Sequence, residues 1–481
     1  MVKSNPHYGA DYFIELAHFI RTQIFGKDVR ESLAKLAEYV GSEHDYTDQE
    51  LEKGLQKFAD LEAELNNLLK NVTDGDDLSE VIDARLSAKY GFFDTLKKRF
   101  DHMENLSANI ADSAMIGQDV HTDNVVKLNE IRNNLDQDKF NLAFITDIHY
   151  ARISNAPKQL NNFTLNHLNN ALYLDGAVDA IVFGGDNIDG GTLSKPAMLK
   201  EQEEFARKAL FSSDEDSDKF ILKGNHDDAS MTLKAYQDGN YDYLKWMNGS
   251  LGFSLTTPKT ITDDELKKYY QTQELLFDEH RQADSLYFYK DYPDKKTRLI
   301  GLNSNDDPII TNEDGTPKYP GLQNMGYQEP QIDWLANIAL QNVPSDYVVV
   351  IVGHIPPAST GSDEHNQELV NQIINAFQNG TAGTATSDVA DWKVNVSYDF
   401  SKQGSRDVAA YLNGHLHQEY LTKNLGFDVV SVTSSINATP DNTGAADNPD
   451  TDGWQVLTVD PENRKIILTG FGRGTDRETT Y

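Results

Sequence analysis

The chain has 481 residues, enough for two or three domains, and 38% of them are hydrophobic, enough for a sizeable core. With 43 basic and 76 acidic side chains the formal net charge is −33, so long-range attraction to nucleic acid or to an anionic membrane is not expected. The absence of cysteine excludes disulfides and thiolate ligands, and without a visible secretion signal or a membrane-spanning apolar run we expect a soluble protein.

The first 137 residues show the apolar periodicity of helices rather than of strands. Leu51, Phe58, Leu65 and Val72 fall at heptad spacing, and residues 93–110 repeat a similar pattern. Both stretches are short for coiled coils, so two arrangements remain open. The helices either fold onto each other within one chain or form an oligomeric stalk, which we favour.

Three phrases in this region carry a resemblance. Residues 24–33, Ile-Phe-Gly-Lys-Asp-Val-Arg-Glu-Ser-Leu, resemble a segment near the start of many tail and baseplate proteins of phages that infect Gram-positive bacteria. Residues 80–85 and 95–101 are similar to two further phrases of those proteins. Without the resemblance, Gly26-Lys27-Asp28 is a turn or cap before an amphipathic helix. The resemblance implies an attachment module of residues 1–137 that binds tail or baseplate proteins, a homo-oligomer with a trimer favoured, and a location in the virion rather than the cytoplasm.

Five short polar blocks follow in order along the rest of the chain. They are Asp147-Ile148-His149, Gly185-Asp186-Asn187, Gly224-Asn225-His226-Asp227, Gly353-His354 and Gly414-His415-Leu416-His417. Each follows an apolar run typical of a strand, namely residues 142–145, 180–183, 220–222, 347–352 and 408–412. Because open α/β sheets place their chemistry at the carboxyl ends of strands, the blocks are predicted to meet in one site.

The residue types in these blocks predict a centre for two divalent metal ions. Such ions prefer oxygen and imidazole ligands, and a single carboxylate can bridge two ions about 3.5–4 Å apart. We assign Asp186 as the bridge. Asp147, His149 and His417 then complete one metal site, and Asn225, His354 and His415 complete the other. Mn²⁺ is favoured, and Fe or Zn²⁺ would also suit these ligands.

His226 is left outside both predicted metal sites. We therefore assign it to phosphate contact and to protonation of the leaving oxygen. Asp189 is a candidate to hold the His226 ring through its other nitrogen. The alternative is that Asp189 is a plain turn residue, because Gly190 and Gly191 follow it. No role is assigned to Asp227.

Taken in order, the five blocks resemble the calcineurin-like metallophosphoesterase superfamily, whose pattern is Asp-x-His, Gly-Asp, Gly-Asn-His-Asp/Glu, Gly-His and Gly-His-x-His. The resemblance covers roughly residues 138–474 and implies an α/β fold, a four-layer α/β/β/α sandwich with a dinuclear metal centre. We place this domain at residues 138–475. Predicted strands at residues 455–459 and 465–469 would form a closing hairpin of the sandwich.

Together the two resemblances imply a phage tail enzyme. We expect a phosphodiesterase that cleaves teichoic acid, the phosphodiester polymer of the host cell wall, by attack of a metal-bridging hydroxide. The acidic charge of the chain is unfavourable for a long polyanionic substrate. Two alternatives remain open, an intracellular phosphodiesterase for cyclic nucleotides or other small phosphoesters and a non-catalytic receptor-binding virion protein.

Overall fold

The computed structural model describes residues 86–87, 91–92, 120, 122–152, 163–191, 195–213, 216–239, 260–358, 364–437 and 451–481. The N-terminal heptad stretches and the three phage-like phrases lie outside the described residues. Upstream of residue 120, the described residues form one short antiparallel pair, β1 (Leu86–Ser87) and β2 (Gly91–Phe92). The sequence pattern did not predict this pair. The compact unit that holds the polar blocks comprises Val120–Leu210 and Asp214–Tyr481.

Helices and strands alternate through much of this unit. The α-helices are α1 (Thr122–Asn134), α2 (His167–Leu172), α3 (Lys195–Phe211), α4 (Met231–Gln237), α5 (Asp263–Tyr269), α6 (Glu329–Trp334) and α7 (Gln367–Asn379), with 3₁₀ turns at Thr164–Asn166 and Pro293–Lys295 and a π-helix at Leu335–Ala339. The strands are β3 (Phe140–Ile145), β4 (Ala180–Phe183), β5 (Asp218–Ile221), β6 (Phe288–Tyr292), β7 (Thr297–Gly301), β8 (Met325–Gly326), β9 (Val348–Val352), β10 (Glu364–His365), β11 (Ala382–Ser387), β12 (Val394–Asp399), β13 (Asp407–Asn413), β14 (Tyr420–Thr422), β15 (Val429–Ser431), β16 (Gly453–Asp460), β17 (Lys465–Gly472) and β18 (Arg477–Thr480).

Two mixed six-stranded sheets form the framework. One has the order β18-β17-β16-β3-β4-β5, and the other has the order β14-β15-β13-β9-β7-β6. In the first sheet β3, β4 and β5 are parallel, and in the second β7, β9, β13 and β15 are parallel. Parallel neighbours end at the same edge of a sheet. This arrangement therefore brings the polar blocks after β3, β4 and β5 to one edge and those after β9 and β13 to another.

The two sheets pack face to face through an apolar core. Side chains from both sheets form one buried cluster, in which the rings of Phe220 on β5 and Phe288 on β6 stack with centroids 4.2 Å apart. Burial of each such ring contributes about 1.5–3 kcal/mol. This core keeps the two strand edges that carry the polar blocks next to each other.

Helices cover the outer faces of both sheets. On the first sheet, Phe205 of α3 meets Phe183 of β4 edge to face, with ring centroids 5.7 Å apart. On the second sheet, α6, the π-helix and α7 share a buried cluster with β9, β13 and the hairpin β11–β12. The mixed α/β sheets agree with the predicted metallophosphoesterase fold. The predicted closing hairpin is confirmed, since β16 and β17 pair antiparallel. The paired residues run from Gly453 opposite Gly472 to Asp460 opposite Lys465.

In the part of the chain that the structure describes, no helix is both long enough and apolar enough to cross a membrane.

Candidate metal centre

The loops that leave β3 and β4 continue to bond to each other after the strands end. The backbone N–H of Asp147 donates to the carbonyl of Gly185 at 3.0 Å, and that of His149 donates to the carbonyl of Asp186 at 2.9 Å. The parallel pairing of β3 and β4 thus continues into the loops that follow these strands. It places two predicted ligands of the first block next to the predicted bridge.

Several predicted ligand residues have a left-handed backbone conformation, which is unfavourable for residues other than glycine. They are Asp147, His149, Asp186, His415 and His417, with φ between 48° and 70°. Each such residue costs about 1–3 kcal/mol and persists only where the surrounding structure holds it in place. At Asp147, His149 and Asp186 the hydrogen bonds between the two loops supply such contacts.

Four side chains form a first cluster, Asp147, His149, Asp186 and His417. Nε2 of His149 lies 3.1 Å from Nε2 of His417 and 3.6 Å from Oδ2 of Asp186. Nε2 of His417 lies 3.2 Å from Oδ1 of Asp147. The side chain of His417 is 33% exposed, whereas Asp147 is completely buried, so the cluster opens to solvent at His417.

A second cluster shares Asp186 with the first and adds Asn225, His354 and His415. Oδ1 of Asn225 lies 2.9 Å from Nδ1 of His415 and 3.1 Å from Nε2 of His354. Nε2 of His354 also lies 3.2 Å from Oδ1 of Asp186. Nδ1 of His354 lies 2.9 Å from the carbonyl oxygen of Gly184, to which it can donate, so Nε2 faces the cluster.

The donor atoms of both clusters fit divalent metal ions. In the group Asp147, His149 and His417, and again in the group Asp186, His354 and His415, one ligand atom from each residue lies within 4.8 Å of the others. Carboxylate, amide and imidazole donors together suit Mn²⁺, Fe or Zn²⁺. The first cluster could hold one ion and the second cluster another, with one oxygen of Asp186 directed at each. The structure thus brings all seven predicted ligands together.

His226 lies beside the first cluster. Its Nδ1 is 2.7 Å from the backbone carbonyl oxygen of Asp189, and its Nε2 is 4.0 Å from Oδ2 of Asp186. Asp189 thus contacts the ring of His226 through its main-chain carbonyl oxygen. His226 also forms a possible ligand group with His149 and Asp186. By its position, His226 could therefore also be a ligand of an ion at the first cluster.

The turn at Asp189 and Gly190 makes this contact possible. Gly190 has φ +68°, and a Cβ at this position would lie 2.5 Å from the carbonyl oxygen of His226. Only glycine allows the two chain segments to approach so closely. Asp189 can therefore both hold the His226 ring and serve as a turn residue.

Asp227, to which the sequence analysis assigned no role, joins two ligand loops. Its carboxylate is completely buried and accepts hydrogen bonds from the backbone N–H groups of Asn187 at 2.9 Å and Gly224 at 2.8 Å. These bonds tie the residue after Asp186 to the residue before Asn225. An acidic residue at the end of a Gly-Asn turn is a signal that could have indicated such an acceptor.

Asp186 and His354 form a buried pair, with Nε2 of His354 3.2 Å from Oδ1 of Asp186. Burial alone would raise the pKa of Asp186, but His354 and His226 hold it well below its usual range. Burial alone would lower the pKa of His354, but Asp186 raises it to about 9. At neutral pH the metal-free centre therefore carries a proton on His354.

This proton makes metal binding dependent on pH. A coordinating imidazole must be neutral, so an ion that binds His354 has to displace its proton. We expect Mn²⁺ binding to release a proton at pH 7, and the affinity to rise about tenfold per pH unit until the pKa of His354 is reached. Isothermal titration calorimetry in two buffers of different ionisation enthalpy measures this release. Identical heats in both buffers would contradict it.

The two mixed sheets with a shared-carboxylate centre at their strand ends define the class of dinuclear-metal phosphoesterases. Residues 140–419 match the family model of the calcineurin-like phosphoesterases. The chain therefore belongs to the calcineurin-like phosphoesterase family.

Several solved structures are similar to this chain, among them the following two. A dimetal phosphatase from Danio rerio is 16% identical, with 71% of this chain and 99% of that chain covered and a TM-score of 0.43. The phosphopantetheinyl hydrolase PptH from Mycobacterium tuberculosis is 13% identical, with 62% of this chain and 91% of that chain covered and a TM-score of 0.24. No curated protein matches the sequence significantly.

Proposed function

We propose that the protein is a dinuclear-metal-dependent phosphodiesterase. The observation that carries this proposal is the convergence of seven ligand side chains in two clusters that share Asp186, with His226 beside them. Asp147, His149 and His417 would hold one ion, and Asn225, His354 and His415 the other. When bound, two such ions supply Lewis acidity toward the phosphate oxygens and lower the pKa of the attacking water.

His226 has the position and charge of a general acid. Burial lowers its pKa, but Asp186 and Asp189 outweigh burial and raise the pKa above its usual value. With Nδ1 donating to the carbonyl of Asp189, the ring presents Nε2 toward the first cluster. A protonated Nε2 can stabilise a phosphate oxygen and then transfer its proton to the departing alkoxide.

The charges around the centre favour a diester over a monoester. The positive groups that most strongly lower the pKa values of Asp147 and Asp186 are histidines. Neither lysine nor arginine is among these largest contributors, and we take this as support for a monoanionic substrate rather than a dianionic one. A phosphodiester carries one negative charge and needs fewer such partners.

For the substrate we propose teichoic acid of a Gram-positive host, with the protein located at the tail tip or baseplate of a phage. The support for this part is the resemblance of residues 24–33, 80–85 and 95–101 to phage tail proteins. Attachment through a trimeric N-terminal module to tail or baseplate proteins would raise the effective concentration of the catalytic domain at the envelope. The net charge of −33 favours a second candidate, a phosphodiesterase for small phosphoesters.

Hydrolysis assays with added Mn²⁺ test these proposals. Purified protein is compared on bis-p-nitrophenyl phosphate, p-nitrophenyl phosphate and purified wall teichoic acid. Release of glycerol phosphate units from the polymer would support the teichoic acid proposal. Cleavage of the synthetic diester alone would favour the small-substrate alternative, and faster cleavage of the monoester would contradict the preference for diesters. No metal-dependent hydrolysis of any of the three would leave the receptor-binding alternative.

A further inference from the structure

A buried polar network that includes none of the seven ligands contacts the main chain at Asp147. It consists of Ser435, Asp452 and His167, which are 0%, 1% and 5% exposed. The hydroxyl of Ser435 donates to Oδ1 of Asp452 at 2.8 Å, and Nδ1 of His167 lies 2.9 Å from the same hydroxyl. Buried groups of this kind are costly unless each has a partner, so the arrangement is well defined.

The segment that carries Ser435 runs alongside the first ligand loop. The backbone N–H of Ser435 donates to the carbonyl of Thr146 at 2.8 Å, and that of Ile436 donates to the carbonyl of Asp147 at 3.0 Å. Asp147 has φ 54°, a conformation that its surroundings must enforce. These two bonds therefore hold Asp147 in its left-handed conformation.

The direction of each hydrogen bond in the network can be assigned. Asp452 also accepts from the backbone N–H of Gly453 at 2.7 Å, from Nδ2 of Asn170 at 2.9 Å and from Nε1 of Trp454 at 3.1 Å. These partners are all donors, and the Ser435 hydroxyl likewise donates to the carboxylate and keeps its lone pairs free. The hydroxyl oxygen can then accept a hydrogen bond from Nδ1 of His167.

The protonation of His167 agrees with this assignment. Burial lowers the pKa of His167 and outweighs the opposite effect of Asp452. The ring is therefore neutral at pH 7, with its one proton on Nδ1. The chain of donors runs from His167 to Ser435 and ends at Asp452.

We propose that Ser435, Asp452 and His167 are positioning residues that set Asp147 for metal binding at the first cluster. They act through the Ser435 and Ile436 backbone and touch neither ion nor substrate. The inference rests on the proposed function, because it assumes that an ion is bound by Asp147, His149 and His417. Removal of the network should weaken this site and leave the second cluster unchanged.

The test is Mn²⁺ titration of full-length Ser435→Ala protein by calorimetry. Loss of a partner that orients a ligand typically lowers metal affinity about 10–100-fold, and we expect a loss of this size at the first cluster. Two background variants separate the sites. In Asn225→Ala protein the first cluster is intact, and S435A should weaken its binding; in His149→Ala protein the second cluster is intact, and S435A should have no effect.

Ser217→Ala is the matched control. Ser217 is also a buried serine, 3% exposed, and its hydroxyl donates to a backbone carbonyl, that of Val178, at 2.6 Å. It precedes β5, at the opposite end of that strand from the ligand loop, so S217A should lower the melting temperature without lowering Mn²⁺ affinity. Equal loss of affinity in S217A and S435A, or unchanged affinity in S435A, would overturn the inference.

A pair of substitutions at His167 keeps the test decisive if S435A does not fold. Asparagine can place an N–H where Nδ1 of His167 stands, whereas leucine cannot. His167→Leu should weaken Mn²⁺ binding at the first cluster, and His167→Asn should restore it. Equal affinities in the two variants would overturn the inference. Wild-type protein that binds no Mn²⁺ would instead overturn the proposed function, and the inference with it.

Discussion

Replacement of Asp186 by asparagine is expected to lower phosphodiester hydrolysis by about a thousandfold or more and to weaken Mn²⁺ binding at both clusters. Asp186 is 1% exposed, and each of its oxygens faces a different cluster, at 3.2 Å from His354 and 3.6 Å from His149. An amide has one oxygen and no charge, so it cannot bridge two cations. Losses of 10²–10³-fold are typical when a single preorganised electrostatic group is removed, and here both ions are affected.

The measurement combines steady-state hydrolysis of bis-p-nitrophenyl phosphate with calorimetric titration of Mn²⁺. Asp175→Asn is a suitable control, because Asp175 is also a buried carboxylate, 3% exposed and paired with Lys219 at 2.7 Å. It precedes β4, at the opposite end of the strand from Asp186, so its loss should lower stability but spare metal binding. Two ions bound with wild-type affinity to D186N would show that Asp186 is not the bridge.

Substitution of His226 by alanine is expected to slow hydrolysis of alkyl phosphodiesters about 10²–10⁴-fold, the usual contribution of a general acid. The loss on bis-p-nitrophenyl phosphate should be much smaller, because nitrophenolate departs without a proton. Mn²⁺ binding should be retained, since all seven predicted ligands remain. The ratio of the two rates, measured in wild-type and variant protein, isolates proton transfer from other effects.

His226→Asn refines this comparison. Asparagine can still donate to the carbonyl of Asp189 in place of Nδ1, but it offers nothing at the position of Nε2. H226N should therefore show the same preference for aryl esters as H226A. Equal losses on alkyl and aryl substrates would reject the general-acid role. Loss of an ion would instead assign His226 to the ligand group that it forms with His149 and Asp186.

The strands that carry the site were predictable from sequence because they are buried on both faces. Such strands are continuous apolar runs, and residues 180–183 coincide with β4 while residues 142–145 lie within β3. Ligands placed directly after such runs must meet when the strands are parallel neighbours. Strands such as β6 and β11 were not predicted, because their partly exposed sequences contain no continuous apolar run and become strands only through their pairing partners.

The supports behind the ligands could not be predicted in the same way. The carbonyl of Asp189 that holds His226 is a backbone atom, which every residue possesses, so residue type gives no signal. His167 and Ser435 are 268 positions apart, and only the folded sheet brings them together. The heptad stretches before Val120, the trimer and the tail attachment remain predictions, because they concern residues outside those described.

The left-handed ligand positions have a consequence for how the protein acquires its ions. Because backbone bonds such as Asp147 to Gly185 and His149 to Asp186 already fix the ligands, the centre exists before any ion arrives. The exposed side of the first cluster, at His417, would give an ion from solvent access to these ligands without unfolding. Donors of this mixed kind accept several first-row divalent ions, and geometry, ligand type and availability together select among them. The relative supply of these ions during synthesis would therefore contribute to which ones the protein carries.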